Sequence, residues 1–98
     1  MVIQKGLKVN AMMYGFMTLA NDTVITHSEV KPDGTVKVYI ETPDEKDCFH
    51  HMTCYLPEYK LEDIYGYTSD EVSYYVDYIR SVAHVIMDVA HDLRKKMV

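Results

Sequence analysis

The chain has 98 residues, 48% of them apolar and 26% charged, a balance that excludes disorder and low complexity and suits one domain. Lysine and arginine number 10 against 15 aspartates and glutamates, leaving a net charge of −5. That sign argues against direct binding of nucleic acid, which draws its affinity from cationic contacts to phosphate.

Lys5 and Lys8 ahead of the apolar run at 11–19 have the outline of a secretion signal, yet Asn10 and Gly15 interrupt it and the first residues are apolar. The run also falls far short of the ~20 residues of a membrane span. The expectation is therefore a cytoplasmic protein with no membrane association. Alanine, methionine and leucine favour helix, and Asn10 can cap it, so a short helix is expected over 11–20. Gly15 would cost that helix up to about 1 kcal/mol.

The middle of the chain reads as strands. Residues 24–30 and 35–42 flank Lys31-Pro32-Asp33-Gly34, a proline-led turn closed by a glycine that tolerates positive φ. Val36, Val38 and Ile40 alternate with Lys37, Tyr39 and Glu41, the pattern of a half-buried antiparallel strand. A third strand is expected over 48–56, ending at Pro57. Residues 57–67 mix a proline, a glycine, acids and tyrosines, and read as a loop with at most one helical turn at 61–65.

The last third is the clearest. Thr68 and Glu71 form a capping box, Asp70 and Glu71 suit the positive end of a helix, and Arg94, Lys95 and Lys96 suit its negative end. Val72, Ile79, Ile86 and Leu93 recur every seven residues, Tyr75, Val82 and Val89 fill the gaps, and Val76, Ala83, Ala90 and Met97 widen the stripe. One amphipathic helix is expected over 69–96, about 40 Å long. A domain of this size has a radius of gyration near ~13 Å, so the helix has length to spare for a second copy, and a homodimer is expected. The fold class is α+β: a three-stranded antiparallel sheet packed by the long helix and the shorter N-terminal one.

Candidate chemistry concentrates on the third strand. Period two puts Cys48, His50, Met52 and Cys54 on one face and Phe49, His51, Thr53 and Tyr55 on the other. Cys48, His50 and Cys54 are ligand types for zinc, copper or nickel, with His27 as a possible addition, but same-face neighbours sit ~6.8 Å apart and no C-x2–4-C knuckle is present. As a pair, Cys48 and Cys54 are too far apart along a strand to form a disulfide, and read as free thiols. On the helix, His84, Asp88 and His91 lie on the polar face, as an alternative metal clip or a pH-sensitive patch. Nucleophilic catalysis by Cys48 with His50 or Cys54 with His51 is not expected, since Cys54 and His51 point apart and nothing nearby supplies an oxyanion hole or a glycine-rich elbow. No catalytic residues are assigned, no cofactor is expected, and the chain reads as non-enzymatic.

Tyrosine is the compositional oddity, with 9 of them against 2 phenylalanines and no tryptophan. Seven fall between positions 55 and 78, interleaved with acids. Tyr59, Tyr65, Tyr67, Tyr74 and Tyr78, with Val85, make a candidate interaction face, because tyrosine offers large contact area at low entropic cost. The functional expectation is a small acidic protein-interaction or regulatory module with a basic protein partner. Two alternatives are a soft-metal protein using the Cys/His/Met strand, and a small-molecule binder or enzyme with a tyrosine-lined pocket of roughly 300 Å³ or more between helix and sheet.

Overall fold

A computed structural model describes residues 12–96. It is an α+β fold of five strands and one helix: β1 (Tyr14–Thr18), β2 (Val24–His27), β3 (Val36–Asp44), β4 (Cys48–Leu56), β5 (Lys60–Tyr65) and α1 (Ser69–Lys96). The strands form an antiparallel meander in sequence order, and α1 lies across one face. No helix among the described residues is long and apolar enough to cross a membrane.

The three central strands follow the expected alternation. Val36, Val38 and Ile40 pair with Leu56, Cys54 and Met52 in register, and all six are buried with Ile25 beneath α1. From the helix come Tyr75, Ile79, Ile86 and Ala90. Burial of each large aliphatic chain here contributes roughly 1.5–3 kcal/mol, so this interface holds the two layers together. The capping box forms as the sequence dictates: Thr68 N–H donates to Glu71 Oε1 at 2.8 Å, and Glu71 N–H donates to Thr68 Oγ1 at 3.2 Å. Val89 departs from expectation, lying at the margin of the buried stripe and 39% exposed.

Two expectations are corrected. Residues 14–18 are a strand and not part of a helix. Tyr14 and Phe16 favour extended backbone, and Asn21-Asp22 supplies the turn that folds the run back onto β2, with Asp22 at φ 65°. Position 11 and the capping role of Asn10 lie outside the described residues, as does Met97. The second correction is β5, which replaces the loop and helical turn expected over 57–67. Its alternation is interrupted by a register shift between its pairings with His51 and Thr53, and Asp63 takes φ 54°. Lys60, Glu62 and Asp63 suit an edge strand, where charge discourages edge-to-edge pairing with other chains. The sheet therefore has five strands, not three.

Helix α1 runs the length of the molecule: its 28 residues span about 42 Å, and the longest dimension, helix included, is 40 Å. Its C-terminal end is tied to the chain after β2: Val30 N–H donates to the Ala90 carbonyl (3.2 Å) and Arg94 Nη1 donates to the Val30 carbonyl (3.2 Å).

Candidate functional site

With α1 on one face of the sheet, nothing among the described residues covers the other. Period two sends Lys37, Tyr39 and Glu41 of β3 and Phe49, His51, Thr53 and Tyr55 of β4 to that open face. There Tyr39, His51 and Tyr65, from three adjacent strands, stack as a ladder: Tyr39 and His51 centroids are 6.2 Å apart at 26°, and His51 and Tyr65 are 5.4 Å apart at 21°. His51 Nδ1–H donates to the Asp63 carbonyl at 2.9 Å, which fixes both the tautomer and the ring plane. The Tyr39 hydroxyl donates to Glu41 Oε1 at 2.8 Å. Burial, and then the hydrogen bond and charge of Glu41, push the Tyr39 hydroxyl up to about 12. Asp63 acts on Tyr39 and Tyr55 in the same direction, and Glu62 does so on Tyr55. Thr53 sits among them at only 2% exposure, whereas Tyr65 and Phe49 remain 48% and 46% exposed.

A second apolar surface runs along one flank of α1. Tyr74, Tyr78, Val85 and Val89 fall within an arc of about 60°, turned roughly 90° from the core stripe at 100° per residue. Tyr74 is 62% exposed, and Val85 and Val89 about 40%. The Tyr78 hydroxyl donates to Met17 Sδ of edge strand β1, which joins the flank to the sheet margin.

Near the start of α1 a cleft of about 490 Å³ is lined by Leu19, Ala20, Asn21, Asp70, Glu71, Tyr74 and Tyr75. Behind it lies a hydroxyl network. Tyr75 shares its hydroxyl with Thr23 Oγ1 (3.0 Å) and accepts from Asn21 Nδ2 (3.2 Å), while Thr42 Oγ1 bridges Thr23 (2.7 Å) and the Tyr67 hydroxyl (2.7 Å). Burial alone would raise the Tyr75 hydroxyl, but its hydrogen bonds with Thr23, Asn21 and Thr42 overcome that and hold it below the ordinary value. Burial raises Tyr67, offset in part by Thr42. The network ties the segment between β1 and β2 to β3 and the start of α1. The cleft is walled by the β1–β2 turn on one side and the start of α1, with Tyr74 and Tyr75, on the other.

The residues nominated from sequence separate in space. Tyr65 belongs to the open sheet face; Tyr74, Tyr78 and Val85 belong to the helix flank; Tyr67 is in the hydroxyl network; and Tyr59 lies under the Arg80 guanidinium, 4.6 Å from its centroid. Cys48 is exposed at the β3–β4 hairpin, whereas Cys54 is in the core, where burial pushes its thiol up to about 11. Along an extended strand His50 and Cys54 are ~13 Å apart, so Cys48, His50 and Cys54 do not converge. His27 is no help, since it pairs with Val38 one strand further off and is buried, with its Nδ1 bonded to the Ser28 carbonyl at 2.8 Å.

Among the described residues, the three donors close enough to share an ion are instead on Asp44, Asp47 and His50, all within 4.8 Å of one another. His50 Nε2 lies 3.1 Å from Asp47 Oδ2 and 3.6 Å from Asp44 Oδ1. Asp44 Oδ2 accepts the backbone N–H groups of Lys46 (3.0 Å) and Asp47 (2.9 Å), which hold its carboxyl below the usual range, chiefly through Asp47. The His50 ring rests against Gly66, at φ 88°, where a Cβ would overlap it. His84, Asp88 and His91 are exposed on α1, and His91 Nδ1 bonds to the Met87 carbonyl one turn back (2.8 Å).

The site residues that sequence reasoning passed over are Tyr39, His51 and Asp63. The first two were legible as outward positions of alternating strands; the third depended on the irregular register of β5. Fold and surfaces together define a two-layer α+β domain with one sheet face uncovered among the described residues. Set against protein-family models, curated proteins and solved structures, the chain matches none.

Proposed function

We propose that this chain is a non-enzymatic interaction module that takes an arginine-bearing basic segment of a partner protein on the open face of its sheet. The observation carrying this reading is the stacked Tyr39–His51–Tyr65 ladder, set beside the carboxylates of Glu41 and Asp63. A guanidinium is planar and weakly hydrated; it stacks on such rings while its N–H fork reaches a neighbouring carboxylate, a geometry lysine cannot reproduce. Lys37 and Lys60 stand on the row of Tyr55, next to that of Tyr39, and Lys60 is paired with Glu62 at 3.5 Å. The acidic end of the face is therefore the one with Glu41, His51 and Tyr65. The chain's net charge of −5 adds long-range steering for a basic partner.

A nine-residue oligoarginine peptide tests this by chemical-shift titration against an oligolysine of equal length. The expected result is arginine preference of several-fold, with the largest shifts at Tyr39, His51 and Tyr65, and loss of the preference in Glu41→Gln/Tyr65→Ala. Equal affinities for the two peptides, or shifts centred on α1, would overturn the assignment.

A further inference from the structure

The outer flank of α1, exposed at Tyr74, Val85 and Val89 and half-buried at Tyr78, has an internal symmetry. Tyr74 and Val89 are equally distant from the midpoint between Ser81 and Val82, and so are Tyr78 and Val85. We infer that the protein pairs with a second copy, α1 against α1 and antiparallel, about a two-fold axis passing between Ser81 and Val82. This inference is independent of the arginine-binding reading, since the two surfaces are separate.

A two-fold axis at that midpoint places each tyrosine ring against a valine of the other copy: Tyr74 against Val89, and Tyr78 against Val85. Large meets small at all four contacts, which is what two helices need to interdigitate. At the crossing itself Ser81 presents a small side chain whose hydroxyl is already bonded to the Tyr78 carbonyl at 2.6 Å, so close approach leaves no hydroxyl unpaired. Two-fold pairing is self-complementary, and a palindromic stripe is the pattern it requires. Met17, 43% exposed and bonded to Tyr78, extends the apolar strip onto edge strand β1.

Charge selects the antiparallel arrangement. The first turn of α1 carries Asp70 and Glu71, and the last carries Arg94, Lys95 and Lys96. Antiparallel pairing sets the acidic turn of each copy beside the basic turn of the other and opposes the two helix dipoles. Arg94 is engaged with Val30, so the attraction rests on Lys95 and Lys96 and on the opposed dipoles, offset in part by Asp92, which the same two-fold sets opposite Glu71. Parallel pairing would instead stack acid on acid at one end and base on base at the other.

The test uses the full chain. Sedimentation velocity over a concentration series should show a dimer at tens of micromolar, and Val85→Asp should weaken it at least tenfold while far-UV circular dichroism stays unchanged, because Val85 is outside the core. Single cysteines placed in a Cys48→Ser background then read the geometry. Ser81→Cys should oxidise to a covalent dimer; Val89→Cys should not link to itself, and a mixture of Tyr74→Cys with Val89→Cys should cross-link. A monomer throughout the concentration series overturns the pairing. Self-linkage of Val89→Cys overturns the antiparallel sense. Oligoarginine binding by Val85→Asp reports separately on the open face.

Discussion

Tyr39 shows how one side chain can carry both packing and charge on the open face. Its hydroxyl is held up to about 12 by burial and by Glu41, against an ordinary value of ~10 in the unfolded chain. The stability linked to this group is therefore fully present below about pH 10 and is lost as pH rises through about 12, because the unfolded chain releases the proton first. Chemical unfolding followed between pH 9 and 12 should show a steeper alkaline decline in the wild type than in Tyr39→Phe. Glu41→Gln keeps an acceptor oxygen but removes the charge, so the Tyr39 hydroxyl should ionise closer to its ordinary value. If carbon NMR of that ring shows no shift in the variant, Glu41 is not what holds the proton on.

At the scale of elements, α1 was the most legible part of the sequence and β5 the least. The helix declared itself by a capping box, charged ends and seven-residue periodicity, three independent signals that agree. Removing one of them has a measurable effect. Thr68→Ala deletes the acceptor for Glu71 N–H and should destabilise the domain by about 1 kcal/mol in urea unfolding, with little change in m-value. An unchanged midpoint would mean that the cap is replaced by water at no cost. Strand β5 was hidden because an edge strand has one neighbour and needs few apolar residues, and because the shifted register around Asp63 breaks the alternation. At β1 the run was apolar at nearly every position, so composition suggested helix, while Asn21-Asp22 held the turn that makes it the outer strand of a hairpin. The outward positions of β3 and β4 were readable by alternation, but which strand lies beside β4 was not, and the Tyr39–His51–Tyr65 ladder needs that neighbour.

The whole molecule presents its two apolar surfaces in different directions. The flank of α1 faces sideways from the helix layer, and the aromatic ladder faces away from it on the far side of the sheet. A dimer closed along the flank would leave both ladders open, one on each copy, converting a weak single-site module into a bivalent one. The consequence is visible on a surface carrying a dense layer of oligoarginine. Wild-type dimer should dissociate roughly 100-fold more slowly than monomeric Val85→Asp, the lower end of the ~10²–10⁴ gain expected of two linked sites. In free solution, with peptide in excess, the two proteins should bind with the same affinity per chain, since Val85 is remote from the ladder. Equal dissociation rates on the dense surface would mean that the dimer's geometry keeps its two faces from engaging together. A difference that persists in free solution would instead place Val85 in communication with the sheet, and the two surfaces would no longer be separable.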